Sequence, residues 1–223
     1  MAVLSLKYIN KYFGKDSSRV HVLKNLDFTI DKGKLILVLG PSGSGKSTFL
    51  TIAGGLQTPD DGSISINGQD ILKLTSKERD SLRLEKIGFV LQNYSLVPYL
   101  TAMEQLQLVD QVKKEGNLGA DALVQLLKQL GIYQLKDKYP DQLSGGQRQR
   151  LAIARALYTQ PEVVLADEPT AALDSEHVKD VGELFANLAH QGDKAIVIVT
   201  HDIRLEEFAD EVYHLNDGVL EKA

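Results

Sequence analysis

The segment GPSGSGKS at residues 40–47 has the spacing G-x-x-x-x-G-K-[ST], which suits a backbone cradle for phosphate. Gly40, Gly43 and Gly45 let the chain curl until several N–H groups, those of Ser42 and Ser44 among them, point at one anion. Lys46 adds a point charge for the β- and γ-oxygens of a nucleoside triphosphate. The Ser47 hydroxyl is a small, hard ligand for Mg2+. Residues 48–56 read as the helix that follows, so the loop also receives the positive end of a helix dipole, with Thr48 in its first turn.

A second constellation closes the apolar run 163–166. Asp167 stands at a strand end, where it can hold the Mg2+ shell. Glu168 comes next, and side chains alternate along an extended chain, so it is free for another role, accepting a proton from an attacking water. Alone, an Asp-Glu pair is an ordinary solvated strand end. Beside a phosphate loop it reads as chemistry. The run 195–199 leads into Thr200-His201-Asp202, which makes His201 a candidate contact for the γ-phosphate or the water.

Residues 143–147, LSGGQ, offer a second phosphate cradle. Ser144 and Gln147 have capping-box spacing ahead of a strongly helical run, 148–157. Gly145 and Gly146 leave the first-turn N–H groups bare, and a bare helix start beside a hydroxyl attracts anions. One nucleotide does not need both cradles from one small domain. A head-to-tail homodimer, with each phosphate loop facing the other chain's Ser144, satisfies both.

Elements must position these groups. Residues 35–39, 163–166 and 195–199 are continuous apolar runs, expected as parallel strands buried on both faces, with ligands beyond their carboxyl ends. Residues 4–12, 26–30 and 63–67 carry strand patterns with turns between, expected as an antiparallel β layer. From about 95 to 157 the chain reads helical: Thr101 and Glu104 have capping-box spacing, and Leu123, Leu126, Leu127 and Leu130 form one stripe ended by Gly131. The expected fold class is α/β, one domain over 1–223, with a core of about 1–92 and 158–223 and a helical insertion of about 93–157.

The chain has 223 residues, 43% hydrophobic and 25% charged, enough for one such domain. The net charge of −5 without a basic run argues against nucleic acid as a partner. No cysteine is present, which excludes disulfides and thiolate metal sites. No signal-peptide pattern and no run near bilayer length are seen, so work at a membrane is expected through another chain, from its cytoplasmic face. With a turn at 216–218 close to the end, no C-terminal regulatory domain is expected.

LSGGQ between the phosphate loop and the acidic strand resembles the ABC ATPase family, a P-loop NTPase fold, over essentially the whole chain. The resemblance implies ATP and Mg2+ as cofactors and a separate integral membrane permease as partner. It also implies roles for single residues. Tyr12 resembles the aromatic that stacks on adenine, with Phe13 as a rival. Gln92, after the strand-like 87–91, resembles the glutamine that reaches Mg2+ and the attacking water. Asp174, in Ala-Leu-Asp at 172–174, resembles the loop that touches the opposite subunit. His201 resembles the switch histidine. Residues 93–104 resemble the region that meets the permease, with Leu96–Leu100 as an apolar cluster that could equally pack inside. Among transporters the chain resembles the macrolide-exporter and lipoprotein-releasing group. In residues 82–92, 96–100 and 201–205 it resembles the ATPases of Gram-positive haem exporters. The alternatives are an antimicrobial-peptide or macrolide exporter, a non-catalytic interaction subunit, and a soluble ABC ATPase of DNA repair or ribosomes.

Overall fold

Alternating apolar segments pair into one sheet and continuous apolar runs into another. The computed structural model describes residues 2–223; Met1, the first residue of the expected core, lies outside them. Strands β1 (Ala2–Phe13), β2 (Val20–Asp31), β4 (Asp61–Ile66) and β5 (Gln69–Asp70) form an antiparallel sheet in the order β2-β1-β4-β5. Strands β3 (Lys34–Leu39), β6 (Ile87–Val90), β7 (Val163–Asp167), β8 (Ala195–Thr200), β9 (Glu211–Asn216) and β10 (Val219–Lys222) form the second, in the order β10-β9-β3-β8-β7-β6. It is parallel except for the β9–β10 hairpin, which turns at the expected place.

The three continuous runs are buried on both faces because each face of the parallel sheet has a cover. Leu35, Leu37, Val164, Ala166, Ile196 and Ile198 face one apolar cluster, shared with helices α3 (Ala102–Val112), α4 (Ala120–Gln129), α5 (Gly145–Tyr158) and α6 (Ser175–His190). Their neighbours Ile36, Val38, Val163, Leu165 and Val197 face the other cluster, shared with α1 (Lys46–Ala53) and the antiparallel sheet. Period-two alternation is thus present, and hidden in the sequence by burial on both sides.

The helices α3, α4 and α5 lie between β6 and β7 in the chain, where helix was expected. Thr101 and Glu104 form the capping box of α3, and the leucine stripe of α4 is buried up to Gly131. The helix after the phosphate loop is shorter than 48–56, ending at Ala53 where Gly54 and Gly55 break it. Helix α2 (Ser76–Lys86) was not foreseen, although Thr75 and Glu78 form the same kind of capping box, a device worth about 1 kcal/mol. Among the described residues, no helix is long and apolar enough to cross a membrane.

At the end of β7 remote from Asp167, an ion cluster ties three elements together. Glu162 receives Lys32 Nζ at 2.5 Å, Lys86 Nζ at 2.7 Å and the Asn67 amide at 3.3 Å. Hydrogen bonds from Lys32 and then Lys86 hold its carboxyl down at about 2, from an ordinary 4.5. A depressed folded-state pKa gives stability that is complete above 4.5 and lost as pH falls from there towards 2. Glu162→Gln should therefore flatten the loss of melting temperature over that window, and added salt should weaken the difference. An unchanged acid limb in the variant would remove Glu162 from this role.

Candidate active site

The carboxyl ends of β3, β6, β7 and β8 open on one cavity of about 560 Å3. The phosphate loop leaves β3 and enters α1. Gly43 and Gly45 take φ of +82° and +103°, which side-chain-bearing residues rarely adopt, and the turn they permit aims the loop at the cavity. Ser42, Gly43, Gly45, Lys46, Ser47 and Thr48 line it. Gly40 and Ser44 lie behind the lining, Ser44 with a buried hydroxyl that has no partner. Lys46 is only 7% exposed. Its ammonium donates to the carbonyls of Gly40 (2.7 Å) and Pro41 (3.0 Å) and stands 3.9 Å from Glu168 Oε1.

Asp167 and Glu168 both line the cavity, each 8% exposed, in different surroundings. Burial pushes the Asp167 carboxyl up, while the Ser47 hydroxyl bonded to it and Lys46 pull it down. Asp167 Oδ1 is buried with no partner. An orphaned buried carboxylate oxygen against a hydroxyl is a donor pair suited to a hard divalent cation. Among the described residues no cluster of three or more acidic, histidine or cysteine side chains could hold a metal alone. A cation here would need phosphate oxygens and water as further ligands.

Glu168 is held from several sides. The Thr200 hydroxyl donates to Oε2 at 2.6 Å, and His201 Nδ1 lies 3.0 Å from Oε1. The Glu168 backbone has a φ of +49°, a left-handed conformation costing about 1–3 kcal/mol for a non-glycine residue. Gln92, beyond β6, and His201, beyond β8, complete the rim. The arrangement can bind a polyphosphate, neutralise it with Lys46 and a cation, and place a carboxylate and an imidazole beside its terminal group.

The aromatic contact differs from the sequence expectation: Phe13, not Tyr12, lines the cavity, with Val22 beside it. A register shift of β1 against β2 between Lys11 and Tyr12 puts one extra residue, Val22, into β2. It leaves Tyr12 opposite His21, with ring centroids 4.1 Å apart, and under the Arg19 guanidinium at 4.0 Å. Alternation then turns Phe13 to the cavity.

The second cradle stands outside the cavity. Ser144 caps α5: its Oγ accepts from the Gln147 N–H at 3.2 Å, and Gln147 Oε1 accepts from the Ser144 N–H at 2.8 Å. Gly146 is closely packed, since a Cβ would lie 2.9 Å from Leu173 Cδ2 and push that side chain aside, and a Cβ on Gly145 would touch Ala172 at 3.5 Å. Asp174 is exposed and caps α6, accepting from the His177 N–H at 3.0 Å. None of Ser144, Gly145, Gly146, Gln147 and Asp174 reaches the cavity of its own chain. Two residues absent from the sequence reading tie α5 to the site. Arg155 donates to the carbonyls of Tyr94 (2.6 Å) and Ser95 (2.7 Å), just past Gln92, and Gln149 donates to the carbonyl of Glu168. Their spacing is no signal: six residues apart, they lie about 120° apart around the helix.

The ABC transporter family model matches residues 23–171. The chain belongs to the ABC transporter family. It is an ATP-binding and ATP-hydrolysing subunit of that family, with an α/β cassette fold. A relative in Staphylococcus haemolyticus that carries the name hemin import ATP-binding protein HrtA is 42% identical over 98% of this chain and 99% of its own. The macrolide export ATP-binding/permease protein MacB of Aggregatibacter actinomycetemcomitans is 40% identical over 98% of this chain and 34% of its own, longer sequence. A dimeric, post-hydrolysis structure of the cassette MJ0796 of Methanocaldococcus jannaschii, bound to ADP and Pi, superposes with a TM-score of 0.90. It is 38% identical, and 98% of each chain is covered.

Proposed function

We propose that this ATPase works as a homodimer clasping two ATP molecules, and that it powers a separate integral membrane permease from the cytoplasmic face of the membrane. One observation carries the dimer: the chain builds two phosphate cradles and only one of them faces its own cavity. A second copy brings Ser144, Gly145 and Gly146 to the γ-phosphate held by the first. The dimeric relative bound to ADP and Pi supports this reading. In it, the phosphate loop and Lys46 hold the β- and γ-phosphates, and Phe13 is better placed than Tyr12 to pack on the base. Asp167, Ser47 and Gln92 would hold Mg2+, which supplies charge neutralisation at the γ-phosphate when bound. Glu168 accepts the proton of the attacking water, and His201 and Gln92 orient it. Asp174 and the loop before it face the opposite subunit.

The chain is proposed as one working unit, in which the part from about 93 to 157 moves against the rest as the dimer closes. Tyr99, 85% exposed, and Val97 present an apolar surface for the permease, while Leu96 packs inward against the core. For cargo, similarity to HrtA supports haem; that relative's name says import and MacB's says export, and the outward direction proposed here follows MacB. Sedimentation of Glu168→Gln with Mg-ATP tests the dimer: it should sediment as a dimer, and Ser144→Arg on the same background as a monomer. A strict monomer at saturating ATP would sink the clasp. Cells lacking the chain should lose tolerance to haem; reduced haem uptake instead would reverse the direction.

A further inference from the structure

Gln149 sits on the second turn of α5, 2% exposed, and spends both ends of its amide on backbone. Its Nε2 donates to the Glu168 carbonyl at 2.9 Å, and its Oε1 accepts from the Ala172 N–H at 3.2 Å. The Glu168 N–H donates in turn to the Val199 carbonyl at 2.9 Å. The peptide groups on either side of Glu168 therefore have different anchors: β8 for one, and for the other α5 together with the nearby Ala171 N–H, at 3.3 Å. Between them they hold the left-handed φ of +49° that decides where the carboxylate points. A buried apolar side chain of the same size would fill the space equally well, but would leave the Ala172 N–H unpaired and the Glu168 carbonyl with only the Ala171 N–H, at 3.3 Å.

We propose that Gln149 is a positioning residue for Glu168, and that through it the docking of Ser144 on a second chain's nucleotide is felt at this chain's own carboxylate. The route is short and made of packed parts. Ser144 caps the first turn of α5, Gln149 occupies the next, and its amide bridges Glu168 to the Ala172 loop, against which Gly145 and Gly146 also pack. A helix start seated on phosphate thus fixes α5, and α5 fixes the backbone of the base. The inference rests on the proposed roles of Glu168 and Ser144.

Gln149→Met keeps the length and volume and removes both hydrogen bonds. Its kcat should fall about tenfold to 100-fold, with ATP affinity, read with a fluorescent ATP analogue, within about twofold of wild type. Gln149→Glu keeps an acceptor for Ala172 and loses the amide donor to Glu168, and should show the same split. Combined with Glu168→Gln, Gln149→Met should still dimerise at the ATP concentration that Glu168→Gln alone requires, since the residue serves the base and not the clasp. Wild-type kcat in both Gln149 variants would overturn the proposal. So would loss of ATP-driven dimerisation in the double variant, which would make Gln149 a prop for the helix start alone. Near-normal turnover by Glu168→Gln itself would instead overturn the base assignment, and this proposal with it.

Discussion

Glu168→Gln should lower kcat by about 100-fold to 10,000-fold while leaving ATP affinity within about threefold of wild type. The substitution removes the only proton acceptor that is both buried at the cavity and fixed by several partners among the described residues. It changes no phosphate contact, since the loop and Lys46 bind the nucleotide. An amide keeps the volume and can still accept from the Thr200 hydroxyl at its carbonyl oxygen. It also removes a negative charge 3.9 Å from Lys46 and beside the γ-phosphate position, which favours the ATP-loaded state. The measurement is steady-state turnover together with direct ATP binding. Turnover within about threefold of wild type would take Glu168 out of the base role.

Lys46→Ala should weaken ATP binding by at least about 100-fold, because a charge-assisted contact to phosphate is worth about 1.5–3 kcal/mol and this side chain supplies more than one. The ammonium is 7% exposed and boxed by the Gly40 and Pro41 carbonyls and Glu168, so no neighbouring cation can take its place. Lys46→Arg should not restore binding: the guanidinium is a flat fork, and the slot fits a compact charge. Titration with ATP in a thermal-shift or calorimetric assay reads both variants. Wild-type affinity in Lys46→Ala would mean that the loop's backbone carries the binding alone.

Much of the site was legible as local pattern. The phosphate loop, the Asp167–Glu168 strand end and the Ser144–Gln147 box are each set by a few adjacent residues, because loop curvature and helix capping are short-range effects. The three buried strands were legible as apolar runs, yet their shared period of two was not, since both faces are covered. Tyr12 was named, with Phe13 as its rival; Phe13 lines the cavity, and which of two adjacent residues faces it depends on how the strands sit in the sheet, which leaves no mark on a local stretch of sequence. Helix α2 was missed although Thr75 and Glu78 carried the signal.

The sequence by itself determined that the chain binds phosphate, where its strands end and which helix starts are bare, because those properties belong to segments a few residues long. Only the tertiary structure decided which groups meet. It set Lys46, Asp167, Glu168, Gln92 and His201 around one cavity and left Ser144 outside it. It also hung the Glu168 backbone between β8 and the amide of Gln149, through contacts between residues 19 and more apart in the chain. Such contacts depend on strand order and helix packing, which no local stretch of sequence encodes.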